Sequence, residues 1–336
     1  MTGSDYPTTA PSKRGPTLGD VANALHAVCR VALPGTAFAV ARRRFENVVY
    51  AGNRLHALMD RVGEQSRLDG AVQLLERATA ALPSKGPVRD ALRGTWLDHP
   101  LHPMLTDLPI GFWTSAWMLD IVGRERDRDA ARRLIGAGVL CAIPAAVTGA
   151  ADWSDAQGAP RRVGVVHAIV NSSALALYTA SWIARRRGRN GRGVALSWAG
   201  ATFATVGGFL GGHLVAALGV GVDHTAFEEP LSDWAAVSDA DSLSERPTRF
   251  DVHGVAVLLR RHDGEVTAIA ATCPHRGAPL DEGSFDGDVV TCPWHGSRFC
   301  LLDGALLAGP SPTRVDSYET RVRAGTVEIR SRPAPS

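Results

Sequence analysis

Cys273-Pro274-His275-Arg276-Gly277 and Cys292-Pro293-Trp294-His295-Gly296-Ser297 decide how the last third of this chain folds. They set two thiols and two imidazoles as Cys-x-His and Cys-x-x-His, with sixteen residues between His275 and Cys292. Thiolate and neutral imidazole are metal donors. Pro274 and Pro293 fix φ just after each cysteine, and Gly277 and Gly296 permit the tight turns that present the donors. A zinc site is the competing reading of short Cys/His spacings, but Cys-x-His is tighter than the usual zinc hairpin.

The two stretches resemble the ligand loops of the Rieske [2Fe-2S] domain family, and the resemblance runs from Asp223 to the end of the chain. It implies that Cys273 and Cys292 hold one iron of a [2Fe-2S] cluster, and His275 and His295 the other. Imidazole ligation lowers the negative charge of the reduced centre and raises its potential relative to an all-cysteine cluster. Exposed imidazoles also couple electron transfer to proton release. Respiratory members carry an extra cysteine in each loop, paired as a disulfide. Trp294 follows Pro293 here, so the chain is similar to the ferredoxin and oxygenase branch. Phe299 stands where high-potential members have a tyrosine donor, while Ser297 is expected to donate to a bridging sulfide. Donors near the cluster stabilise its reduced form, so a low to intermediate potential is expected. Gly309-Pro310-Ser311-Pro312 resembles the proline loop that covers such clusters.

The surrounding sequence predicts an all-β module. Residues 250–252, 255–259, 266–271, 289–291, 299–301, 318–322 and 326–329 read as strands, and His262-Asp263-Gly264-Glu265 as a turn. Cys300 reads as a small buried hydrophobe rather than a ligand. Cys29 and Cys141 lie in apolar helical contexts, so the five cysteines make no disulfide framework.

The formal net charge of +2 conceals an asymmetry. From Asp223 onward there are 11 Lys and Arg against 18 Asp and Glu, a net of −7, which leaves +9 for the preceding part. An acidic redox module suits a basic partner. No nucleic-acid motif accompanies the basic part.

Residues 104–122, 134–151, 163–184 and 193–220 are apolar, each near or above the roughly 20 residues that cross a bilayer. Between them lie Arg124, Arg126, Arg128, Arg132 and Arg133, then Arg161 and Arg162, then Arg185, Arg186, Arg187, Arg189 and Arg192. Trp113, Trp117, Trp153, Trp182 and Trp198 include several near span ends, as in aromatic belts. Overlapping Gly-x-x-x-Gly patterns at Gly207, Gly208, Gly211 and Gly212 are expected to let helix backbones approach closely. A soluble bundle of unusually apolar helices is the alternative.

His102-Pro103-Met104-Leu105-Thr106-Asp107-Leu108-Pro109, Gly149-Ala150-Ala151-Asp152-Trp153 and His167 resemble a bacterial membrane family, domain of unknown function 2231. This family occurs fused to Rieske domains. The resemblance covers His99 to about His224, implies a four-span membrane module and brings no activity with it. Alternating spans put His99, His102, Asp107, Asp152, His167, His213 and His224 toward one membrane face, the face from which the Rieske module leaves. Ionisable groups there could hold a b-type haem or a metal, or bind a quinone; hydrogen bonding to carbonyls or a headgroup location is the alternative. The side is open. The arginine-rich loops place the cluster outside by the positive-inside rule, whereas Arg42-Arg43-Arg44-Phe45 lacks the apolar continuation of an export signal.

The chain thus reads as an α+β multidomain protein of a bacterial cell membrane: a disordered tail (1–20), a helical segment (21–98), a four-span transmembrane domain (99–222) and an all-β Rieske domain (223–334). Amphipathic helices are expected at 21–32, 38–62 and 68–82, the last ended by Pro83-Ser84-Lys85-Gly86-Pro87. The expected function is single-electron transfer between a donor (ferredoxin, reductase or quinol) and a partner or membrane cofactor, without a catalytic residue of its own. The alternatives are a redox sensor read by a partner, and the Rieske component of a multi-chain oxygenase. A complete oxygenase needs a mononuclear iron held by two histidines and a carboxylate, and about forty residues follow His295.

Overall fold

The computed structural model describes residues 57–332. The expected tail, the helix at 21–32 and most of that at 38–62 lie outside the described residues. Contacts divide the chain into Met1–Arg61 and Val62–Ser336, and every element named below belongs to the second unit.

The third expected helix is α1, Asp69–Thr79. Its buried Val72 packs with Ala71 and Leu75 against Trp153 and Val165, while Leu74 is exposed. Arg162 bonds Asp69 at 2.7 Å and Arg161 pairs with Glu76, fastening the polar side of α1. Helix α2, Pro87–Arg93, starts on a proline at its first position and stops at Gly94, whose φ of 82° only glycine adopts without a penalty.

Four long helices follow: α3 (Leu101–Val122), α4 (Arg128–Trp153), α5 (Ala159–Arg186) and α6 (Asn190–Ala216). Helices α3 and α4 pack as one pair, and α5 and α6 as another. Trp113 of α3 stacks on Tyr178 of α5, ring centroids 4.1 Å apart. Gly138 makes room for that indole, since a Cβ there would lie 2.3 Å from Trp113 Nε1. The Gly-x-x-x-Gly glycines serve a different end from the expected backbone contact. Gly207 and Gly211 make room for the Asn171 and His167 side chains of α5, whereas Gly208 and Gly212 face open space.

Among the described residues three helices, not four, are long and apolar enough to cross a membrane: Glu125–Trp153, Ala159–Arg186 and Asn190–Ala216. Helix α3 falls short because its 22 residues include His102, Thr106, Asp107 and Asp120. Asp120 has a buried partner missed in the sequence reading. The Arg185 guanidinium grips both its oxygens, at 2.9 and 2.5 Å, and also bonds the Ser181 and Ser197 hydroxyls at 3.3 Å each.

The C-terminal part is all β. Strands β1 (Ala235–Asp239), β10 (Thr326–Ser331) and β9 (Tyr318–Arg323) form one antiparallel sheet, and β2 (Thr248–Val252), β3 (Val255–His262) and β4 (Glu265–Ala270) a second. A third contains β5 (Ser284–Asp286), β6 (Val289–Thr291), β7 (Arg298–Cys300) and β8 (Leu306–Ala308). The predicted turn joins β3 to β4, with Asp263 and Gly264 at φ 49° and 84°, the two positive angles of a type I′ hairpin. Val257, Leu259, Ile269, Leu280, Val290, Phe299, Val327 and Ile329 fill one core shared by the three sheets.

Arg260 of β3 is buried and bonds Gly287 O at 3.1 Å and the Asp288 carboxylate. The Arg260 hydrogen bond holds the Asp288 carboxyl below the usual carboxylate range, and the charges of Arg260 and His262 add to it. A depressed folded-state pKa gives stability that is present above the unfolded value and lost as pH falls through the folded one. Below about pH 4, the ordinary carboxylate range, the melting temperature of the wild-type domain should therefore fall more steeply with pH than that of Asp288→Asn. Parallel pH profiles would contradict this.

Candidate metal centre

Two loops at one end of the third sheet carry the predicted ligands, one between β4 and β5, the other between β6 and β7. Both are closed the same way. Cys273 N–H donates to Ala278 O at 2.9 Å, and Gly277 N–H to Cys273 O at 2.8 Å. Cys292 N–H donates to Ser297 O at 2.8 Å, and Gly296 N–H to Cys292 O at 3.1 Å. Gly277 and Gly296 take φ of 73° and 77°. The two Cys-Pro-x-x-Gly turns are near copies, and only the register of the histidine differs.

The turns face each other. Cys273 and Cys292 are 1% and 3% exposed, and their thiols meet in a hydrogen bond. The His275 and His295 rings stand edge to face with centroids 4.7 Å apart. The bond from Cys273 pushes the Cys292 thiol down to about 6, helped by the N–H groups of His295, Trp294 and Gly296. The same bond, then burial, pushes the Cys273 thiol well up. Burial pushes His275 down to about 3, with the charges of His295, Arg276, Arg93 and His224 acting the same way. Burial and Arg276 also lower His295, against the opposing charge of Asp155. Both imidazoles are therefore neutral at pH 7, as metal ligation requires.

His275 Nδ1 is buried without a hydrogen-bond partner. A buried lone pair left unmatched is costly, and it fits a metal group seated between the loops. Among the described residues, no three His, Cys, Asp or Glu side chains are grouped so as to hold a single metal ion. A thiol pair beside an imidazole pair suits two irons with different ligands better than one tetrahedral zinc.

Ser297 is fully buried. Its Oγ accepts from Ser311 N–H at 2.9 Å, which leaves its own hydrogen to donate to the Cys273 sulfur. Pro310 lies in the loop between Gly309 and Ser311, and the Ser311 bond ties that loop to the second ligand turn. Phe299 is wholly enclosed in the core that also contains both cysteines. Cys300 departs from its expected burial: it is partly exposed, and its thiol bonds the Asp303 carboxylate.

Among the described residues, the membrane-half candidates gather into no group of three or more that could hold a metal ion. His102 Nδ1 lies 2.8 Å from Ala145 O, and His167 Nδ1 3.0 Å from Gly207 O. Each ring is thus held by the backbone of the adjacent helix. Asp107 is exposed, whereas His213 is buried on α6. Asp152 lies instead among Asp155, Arg93 and Arg89 at the end of α4. Neither this arrangement nor the relatives described below support a haem or quinone among these residues.

Residues 233–319 match the profile of the Rieske [2Fe-2S] domain. Ferredoxin CarAc of Metapseudomonas resinovorans is 38% identical over 78 residues, which span 23% of this chain and 73% of that protein. The chain belongs to the Rieske [2Fe-2S] family. The ferredoxin component of the naphthalene 1,2-dioxygenase system of Pseudomonas aeruginosa is 31% identical over 96 residues, 27% of this chain and 91% of that one. Apoptosis-inducing factor 3 of Mus musculus is 36% identical over 75 residues, 22% of this Rieske protein but only 12% of its own length. Residues 98–224 match a second family, described as a predicted membrane protein (DUF2231).

Proposed function

We propose that this chain is a membrane-anchored electron-transfer protein in which Cys273, His275, Cys292 and His295 hold a Rieske [2Fe-2S] cluster. Such a cluster supplies one-electron chemistry when bound. The observation that carries the reading is the pair of matched turns, which set two buried thiols against each other beside two neutral imidazoles. Ferredoxins among the relatives support a relay over a self-contained catalyst. Ser297 and the 309–312 loop exclude water from the thiol side and hold a hydrogen-bond donor on Cys273.

The acidic β domain supports a basic redox partner. Mixing the reduced full chain with oxidised cytochrome c, a basic one-electron acceptor, should give a transfer rate that falls severalfold between about 0.01 and 0.15 M salt, as the Debye length shrinks from about 30 to about 8 Å. A rate that rises with salt would contradict an acidic docking face.

The membrane anchor comprises all four long helices, residues 99–222. Helix α2 bonds the end of α4 through Arg89, so α3 begins at the face where α4 ends. At 1.5 Å per residue its 22 residues rise about 33 Å, a bilayer's hydrocarbon thickness. The buried Asp120–Arg185 pair accounts for one of its charges without exposing it to lipid. Reporters inserted at Lys85 and fused after Ser336 should fall on the same side of the membrane. Opposite sides would mean three spans.

A further inference from the structure

The stretch from Pro87 to Leu97 lies outside both matched regions, yet it joins them. Toward the membrane helices, Arg89 is 2% exposed and bonds Ala151 O and Ser154 Oγ at the end of α4. Arg93 bonds Asp155 Oδ2 through Nε at 3.1 Å and through a terminal nitrogen at 2.5 Å. Toward the Rieske domain, Asp90 Oδ1 accepts from Gly309 N–H at 3.2 Å. Arg93 also lies directly under Gly309: a Cβ there would sit 2.8 Å from Arg93 Cδ. Next to this stretch, Asp98 pairs with Arg314 at 2.6 Å. Beyond α6, His224 N–H donates to Pro274 O at 2.9 Å, inside the first ligand turn.

From Arg93 the contacts lead to the thiols in three steps. Arg93 touches Gly309; Ser311, two residues on, donates to Ser297; Ser297 bonds the Cys273 sulfur. The ion pair also reaches the imidazoles electrostatically, Arg93 acting on His275 and Asp155 on His295. The loop that ties to the second ligand turn therefore abuts a fixed pair of opposite charges from the helical half.

We infer that Arg93 and Asp155 are positioning residues that set the reduction potential of the cluster, as a balanced pair contributed by the helical half to the Rieske domain. The inference rests on the Rieske reading above. Reduction adds one negative charge to the cluster, so a nearby cation stabilises the reduced form and a nearby anion the oxidised form. In the intact pair the two effects offset each other. Removing one charge leaves the other acting alone across a low-dielectric junction.

The test is an EPR-monitored redox titration of the full chain in lipid nanodiscs, at one pH and one salt concentration. Asp155→Asn should raise the midpoint, shifting the ratio of reduced to oxidised cluster at the wild-type midpoint at least tenfold, 59 mV for one electron. Arg93→Gln should shift it by a similar factor the other way. The double variant should return to within about threefold of wild type, because both charges are gone. Unchanged midpoints in both single variants, at full cluster content, would overturn the inference while leaving the Rieske reading intact. Absence of a [2Fe-2S] signal from the wild type would instead remove the reading on which it rests. Should Arg93→Gln fail to retain its cluster, Asp155→Asn decides by sign, and Arg93→Lys must restore both cluster and potential. Cluster loss in both single variants that neither Arg93→Lys nor Asp155→Glu repairs would show a purely structural clamp and overturn the inference.

Discussion

Cys292→Ser should abolish the centre. Iron should fall below a tenth of the wild-type content, and the EPR signal of the reduced protein should vanish. Serine keeps the turn, since Cys292 N–H and C=O close it through Ser297 and Gly296 whatever the side chain is. What is lost is the lower of the two thiol pKa values, the one nearest thiolate at neutral pH. His275→Ala should act likewise, by removing the imidazole whose Nδ1 is buried and unpaired. Cys300→Ser is the internal control. Its thiol points to Asp303, so iron content and signal should remain at wild-type levels. Equal iron loss in Cys300→Ser would show that the assignment among the C-terminal cysteines is wrong.

The second large effect lies in the helix bundle. Arg185→Ala should destabilise the membrane half by about 3–5 kcal/mol, the usual cost of stranding one partner of a buried ion pair. The side chains of Arg185 and Asp120 are 1% and 5% exposed, so water cannot take over the lost contacts. Replacing both, as Asp120→Leu with Arg185→Met, should cost less than Arg185→Ala alone, because no unpaired charge remains. Unfolding in mixed micelles, followed by tryptophan fluorescence, would check the order. A double variant less stable than the single would mean that the pair adds net stability beyond mutual neutralisation.

The parts of this molecule legible in its sequence are those set by local rules. The ligand turns are written as Cys-Pro-x-x-Gly twice, and the backbone closes both identically. Strands β2, β3, β4, β6, β9 and β10 follow β-branched runs and Gly-containing turns such as Asp263-Gly264, and β7 follows directly on the second ligand turn. The missed strands lack such signals. β5 and β8 are three-residue strands with no β-branched residue and no ligand turn running into them, and β1 is a strand only because it pairs with β10, some ninety positions later. The same limit hid the Asp120–Arg185 pair and the α2 junction, both made by residues more than sixty positions apart. Depth along a helix was readable for His102, His167 and Asp107, but azimuth was not. Two of these rings meet a neighbouring backbone carbonyl, and the carboxylate faces outward. Charge order was readable too, yet Asp152 and Asp155 acquire meaning only through Arg89 and Arg93 from a segment that carries no motif of its own.

The most direct test of the whole account is a potentiometric titration of native membranes containing the full chain, washed with high salt and alkaline carbonate. A reversible one-electron wave from a [2Fe-2S] centre, retained in the washed membranes and lost in Cys292→Ser, is the predicted result. A centre released into the wash, or iron-replete protein that binds one zinc and shows no redox wave, would contradict it.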